Sequence, residues 1–148
     1  MTTTGMDSWD RVLGRTKPAK GERAATAQYV GGDESVVSRS TAGRVRQSDD
    51  DREVMAGNVT ALVTDRRLIL LHSTGGFRPK WSAITLPFGH LEPVGAAAAG
   101  APVDVLVPTS GRRGYLVTLD TAEAAEGLRA ALFGALTAYR RDRMGLPD

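Results

Sequence analysis

The stretch GNVTALVTDRRLILLHS, Gly57 to Ser73, decides the fold. Two apolar runs rich in β-branched residues flank the polar knot Thr64-Asp65-Arg66-Arg67, the pattern of two strands joined by a tight turn. With Asp65 and Arg66 as the turn residues, Val63 faces Leu68, Ala61 faces Leu70 and Val59 faces His72. Opposed residues share a face, so Val59, Ala61, Val63, Leu68 and Leu70 form one apolar side. Leu62, Ile69 and Leu71 fall on the other side, which therefore needs cover too, from a helix, an N-terminal segment or a partner. Asp65, in the first turn position, suits the left-handed backbone that such turns require. Arg66 and Arg67 at the tip have two readings. They grip an anion, or they keep a strand end soluble, and the second is the simpler.

Further short strands lie on both sides of this hairpin. Glu34 to Arg46 is expected as the first, bulged at Gly43. Gln47 to Glu53 is a charged loop, and Val54 to Thr64 and Arg67 to Ser73 are the hairpin strands. The loop Thr74 to Lys80 leads to a strand at Trp81 to Leu86, then a turn at Pro87 and Gly89, then Leu91 to Val94. Gly95 to Pro102 is a flexible connection, followed by a last hairpin of Val103 to Val107 and Gly114 to Leu119. The chain then turns helical: Ala125, Leu128, Leu132, Ala135, Leu136 and Tyr139 recur on one face. Asp120 with Glu123 reads as its capping box. Arg140, Arg141 and Arg143 suit its negative end, and Gly145 and Pro147 are stop signals. Near the start, Met6 to Thr16 is expected as a short amphipathic helix with Trp9, Val12 and Leu13 on one stripe. Lys17 to Gln28 is small and polar and reads as a linker. Residues 1–28 are thus expected as an N-terminal helix and flexible linker, and residues 29–145 as the folded domain.

The 148 residues suit one domain, and 41% hydrophobic content is enough to bury a core. A net charge of +2 with no long basic run argues against nucleic acid as a partner. The absence of cysteine excludes thiolate metal sites, disulfides and cysteine nucleophiles, and suits a reducing cytosol. The N-terminal MTTTGMDSWDRVLG lacks the basic start and apolar core of a secretory signal. Cytoplasmic location is the expectation, with peripheral membrane attachment as its variant. The wealth of Ala, Gly, Arg and Val suits a high-GC bacterial genome.

Three elements carry a family likeness. They are the strand start Gly32-Asp33-Glu34-Ser35-Val36-Val37, the hairpin Thr64-Asp65-Arg66-Arg67-Leu68-Ile69-Leu70, and Trp81 and Ile84 followed by His90-Leu91-Glu92-Pro93-Val94. With them the chain resembles the bacterial pleckstrin-homology-like (PH-like) domains of the GRAM and short-PH groups. The resemblance implies a mainly β fold with one C-terminal α-helix, a partly open barrel of about seven antiparallel strands capped by that helix. It also implies a binding or scaffolding role toward lipid head groups, peptides or protein surfaces, and no catalysis. A shared fold does not transfer a ligand.

Candidate chemistry is local. In phosphoinositide-binding relatives the loop after the first strand carries clustered cations. Here Arg44, Arg46 and Arg52 share that region with Asp49, Asp50 and Asp51, whose charges repel such a ligand. Arg78 and Lys80, near Phe77 and Trp81, form an aromatic-basic cluster that suits an anionic membrane or a peptide, or a loop whose Trp81 enters the core. Arg112 and Arg113 mark another hairpin tip. In the N-terminal segment Trp9, Arg11, Val12, Leu13 and Arg15 suggest a membrane-lying or docking peptide, or packing on the chain's own domain. His72 and His90 show no catalytic spacing, and no motif calls for a cofactor or metal. The reading is a non-catalytic adaptor or assembly subunit that works through protein–protein contact. Peripheral binding to anionic lipid is the alternative, and an uncharacterised enzyme the third.

Overall fold

The computed structural model describes residues 5–92, 102–110 and 114–144. In chain order its elements are helices α1 (Gly5–Leu13) and α2 (Glu22–Tyr29), and strands β1 (Val36–Gln47), β2 (Glu53–Thr64), β3 (Arg67–Ser73) and β4 (Trp81–Pro87). A 3-10 turn at Phe88–His90 follows, then β5 (Asp104–Val107), β6 (Tyr115–Leu119) and helix α3 (Ala122–Met144). Pro93, Val94, the tract from Gly95 to Ala101, the Arg112–Arg113 tip and the stop signals Gly145 and Pro147 lie outside the described residues.

The strands form one antiparallel sheet in the order β4-β3-β2-β1-β6-β5, open between β4 and β5 and capped by α3. Six strands stand among the described residues where about seven were expected. The expected Leu91–Val94 strand is the difference: its described part contributes an isolated bridge from Leu91 to Thr109. Just before it, the Phe88 ring is buried edge-on against Tyr139 of α3, at 5.7 Å between centroids. Strand β1 links the two halves of the sheet. It pairs with β2 along its length and with β6 from Ala42 onward, and the register shifts across Gly43, where a bulge bends it.

The central hairpin has the expected register, Val59 with His72, Ala61 with Leu70 and Val63 with Leu68. Its turn differs from expectation. The non-glycine residues with positive φ among those described are Asp51 and Asn58, so Asp65 does not adopt the left-handed form. The Thr64 hydroxyl closes the turn instead, accepting the N–H groups of Arg66 and Arg67 at 3.0 Å each.

Both faces of the sheet are buried. The inner face and α3 enclose Val45, Val63, Leu68, Leu70, Val117, Leu128 and Leu132 in the larger core. The outer face presents Val36, Leu62, Ile69 and Leu71, covered by Trp9 and Val30 with Val12, Leu13 and Tyr29 packed around them. The N-terminal segment is therefore the cover that the hairpin requires. This corrects the reading of residues 17–28 as a flexible linker. Glu22–Tyr29 is helical and Glu22 is fully buried, because its carboxylate accepts Arg39 Nε and Nη2 at 2.8 Å each from β1. The α3 cap also shifts by one residue. Thr121 Oγ1 accepts the Ala124 N–H, while the Asp120 carboxylate accepts the Thr41 hydroxyl.

Candidate functional site

The tip arginines come first. Arg67 donates from Nε and Nη2 to the Glu34 carboxylate at 2.9 and 2.7 Å, and from Nη2 to the Tyr29 carbonyl. Glu34 is fully buried and also accepts the Gly31 N–H and the Thr64 hydroxyl. Burial pushes its carboxyl up, yet the hydrogen bonds from Arg67, Gly31 and Thr64 outweigh that and hold it below the ordinary carboxylate range. Arg66 forms a fork on Asp33, at 3.1 and 2.9 Å, whose hydrogen bonds lower the Asp33 carboxyl and raise the guanidinium. The Asp65 carboxylate accepts the Ser35 N–H and the Asp65 N–H donates to the Ser35 carbonyl. The tip thus clamps the Gly31–Ser35 entry to β1. Both candidate ligand grips, Arg66 and Arg67, thus hold carboxylates of their own chain.

The N-terminal candidates move as well. Trp9 is fully buried in the outer core, with Val12 and Leu13 packed against it, so these side chains serve the fold. Arg11 and Arg15 remain on the surface. On the β1–β2 hairpin, Arg44 faces Glu53 at 3.9 Å, and Arg46 faces Asp51 at 3.5 Å and Asp104 at 3.4 Å. Carboxylates of the same chain therefore hold Arg44 and Arg46.

The β3–β4 loop is different. Its base is closed by Thr74, whose N–H donates to the Lys80 carbonyl and whose hydroxyl accepts the Lys80 N–H. Gly75, at φ +74°, passes so close to Asn58 that a Cβ would stand 2.8 Å from its amide nitrogen. Above that base Phe77 stands 83% exposed. Arg78 and Lys80 are exposed on either side of Pro79, and among the described residues their side chains have no partner. Lys20 reaches across from the N-terminal segment, donating to the Phe77 carbonyl at 2.8 Å with its ammonium 4.7 Å from the ring centre. Trp81 lies half-buried, its indole N–H donating to the Lys20 carbonyl at 3.2 Å.

Beside the loop a cleft of about 580 Å³ opens between the N-terminal segment and the outer face of the sheet. Lys17, Lys20, Arg39, Thr60, Asn58 and Trp81 are among its walls. Arg39 is paired with Glu22, and Lys17, Lys20 and Asp120 are the other charged residues of the cleft. Trp81 thus lines the cleft and Arg78 and Lys80 are exposed in the loop beside it, while Arg66, Arg67, Trp9, Val12 and Leu13 lie elsewhere. Arg112 and Arg113 lie outside the described residues. The walls from Lys17, Arg39, Asn58 and Thr60 were not foreseen, since no local spacing joins them to Trp81. His72 Nε2 lies 3.2 Å from the Ala56 carbonyl and His90 is exposed at the end of the 3-10 turn, neither of them in the cleft.

No family model matches the sequence, and no curated protein matches it. Solved structures do match in fold. The Vps36 N-terminal PH domain aligns with a TM-score of 0.56 at 10% identity, covering 71% of this chain and 80% of that one. The DH/PH fragment of p115-RhoGEF aligns with a TM-score of 0.54 at 12% identity, covering 87% of this chain but 36% of that one. The chain has the PH-like fold.

Proposed function

We propose that the chain is a non-catalytic, cytoplasmic PH-like binding module that serves as an adaptor or assembly subunit through protein–protein contact, with the β3–β4 loop as its contact surface. One observation carries this reading: the exposed Phe77 flanked by Arg78 and Lys80, which have no partner among the described residues, on a molecule whose Arg44, Arg46, Arg66 and Arg67 already hold carboxylates. Aromatic and arginine side chains dominate protein interfaces, because they bury large area and pair with carboxylates. The absence of cysteine and the near balance of charge support a cytosolic setting.

An exposed aromatic beside cations also suits an anionic bilayer, which keeps the membrane reading as the second. Its former anchors are weaker, since Trp9 is buried and the Trp81 indole is tied to Lys20. A photo-crosslinking residue at position 77 in the native cell, together with co-sedimentation on phosphatidylserine vesicles, separates the two. The expected result is a crosslinked protein lost in Arg78→Glu/Lys80→Glu, with no sedimentation. Salt-sensitive sedimentation abolished by that same variant would overturn the proposal in favour of lipid.

A further inference from the structure

The two edges of the sheet are finished differently. The β5 edge is covered: Arg129 donates to the Asp104 carbonyl at 2.6 Å, Glu92 N–H to the Pro108 carbonyl, and Ser110 N–H to the His90 carbonyl. The β4 edge is bare. From Trp81 to Thr85 it pairs with β3 in unbroken register, with no bulge, no charged side chain and no proline, and its one proline, Pro87, closes the strand. Natural edges of this length are ordinarily guarded by charge, proline or a bulge, since a flat unguarded edge templates another strand.

Hydrogen bonding beyond the strand ends shows which groups face outward. Thr74 pairs with Lys80, and the Phe88 N–H donates to the Arg66 carbonyl. Antiparallel bonding alternates, so Ser82, Ile84 and Leu86 turn their main chains toward β3. The N–H and C=O groups of Trp81, Ala83 and Thr85 then point to the open side. At the start of this row stand Arg78 and Lys80, without partners among the described residues, and the exposed Phe77.

Resting on the protein-contact reading above, we infer that β4 receives an extended acidic segment of a partner protein. It adds as an antiparallel strand, with its acidic residues at its C-terminal end against Arg78 and Lys80. Main-chain donors and acceptors at every second residue recognise an extended backbone whatever its sequence, and the two cations select the charge. A second copy of this chain fits less well. Two-fold pairing of β4 with itself would carry each loop's cations to the other copy's Pro87–Glu92 end, where Glu92 is the one carboxylate and His90 stands beside it.

The test is selection from a random displayed-peptide library on the intact chain, followed by amide hydrogen exchange with a selected peptide. Ala83→Pro is the decisive variant. It removes an outward N–H and leaves the ladder to β3 intact, as proline on edge strands does. Acidic, extended peptides are expected, bound roughly tenfold more weakly by Ala83→Pro at an unchanged melting temperature. Exchange at the Ala83 and Thr85 amides of the unsubstituted chain should slow on binding, a readout that stands even if the variant misfolds. With Arg78→Glu/Lys80→Glu as bait, the acidic preference should vanish. The inference is overturned if no peptide is enriched, or if protection falls in the cleft and Ala83→Pro binds normally. It is equally overturned if the free chain dimerises and Ala83→Pro does not. Binding that ignores Ala83→Pro but needs Phe77, Arg78 and Lys80 would remove strand addition and leave the protein-contact reading standing. Sedimentation on vesicles with no peptide binding would remove both.

Discussion

Glu34 is a fully buried carboxylate that answers three donors at once: the Arg67 guanidinium, the Thr64 hydroxyl and the Gly31 N–H. Removing it leaves Arg67 unpaired against the strand entry. Glu34→Ala should cost about 2–3 kcal/mol in urea unfolding, below the range for wholly buried pairs because Arg67 keeps some contact with water. Acid should act in the same direction. The Glu34 carboxyl is depressed in the folded chain, so its stabilisation is complete above the unfolded value of about 4.3 and is lost as pH falls through the lower folded value. Stability measured from about pH 5 downward should therefore decline, and Glu34→Gln should flatten its share of that slope. Gly21 is the second sensitive residue. At φ +81° it stands where a Cβ would lie 2.8 Å from the Trp81 indole nitrogen. Gly21→Ala should break the indole bond to the Lys20 carbonyl and shift tryptophan emission to the red. Unchanged emission would show that the N-terminal segment can yield.

At the scale of elements, α1 and α2 decide whether the outer face of the sheet stays dry. Trp9 fills the space over Leu62, Ile69 and Leu71. Trp9→Ala should cost about 3–5 kcal/mol by thermal or urea unfolding, the usual range for deleting a buried indole. A cost under about 1 kcal/mol would mean that the helix is not the working cover. The need for such a cover was legible in the alternation of the hairpin, since a strand pair apolar on both sides must be enclosed on both. Its source was not, because Lys17 to Gln28 is small and polar, and a helix of this composition forms only where its neighbours hold it. The Arg39–Glu22 pair, across 17 residues of chain, is such a hold. Thr121 capping α3 where Asp120 was expected has a similar origin: Asp120 is drawn away by Thr41, 79 residues earlier.

For the molecule as a whole, the two cores share β2 and β3 back to back. Leu62 and Ile69 face one core and Val63 and Leu68 the other. Neither core can open without disturbing strands that form a wall of its neighbour. Unfolding in urea should therefore be one transition, with tryptophan emission, which reports the outer face, coincident with helical circular dichroism, dominated by α3. An earlier fluorescence transition would show that the N-terminal cover detaches by itself. The sequence by itself determined the hairpin and its register, the bulge at Gly43, the C-terminal helix and the presence of two apolar faces. Each is written in neighbours two to four residues apart, where strand and helix periods act. Tertiary structure alone decided that α1 and α2 are the cover, that Arg66 and Arg67 hold Asp33 and Glu34, and that Lys20 joins Phe77. Those outcomes join residues such as Lys20 and Phe77, 57 apart in the chain. Which charges meet one another, and which stay exposed, is settled by how the chain closes on itself.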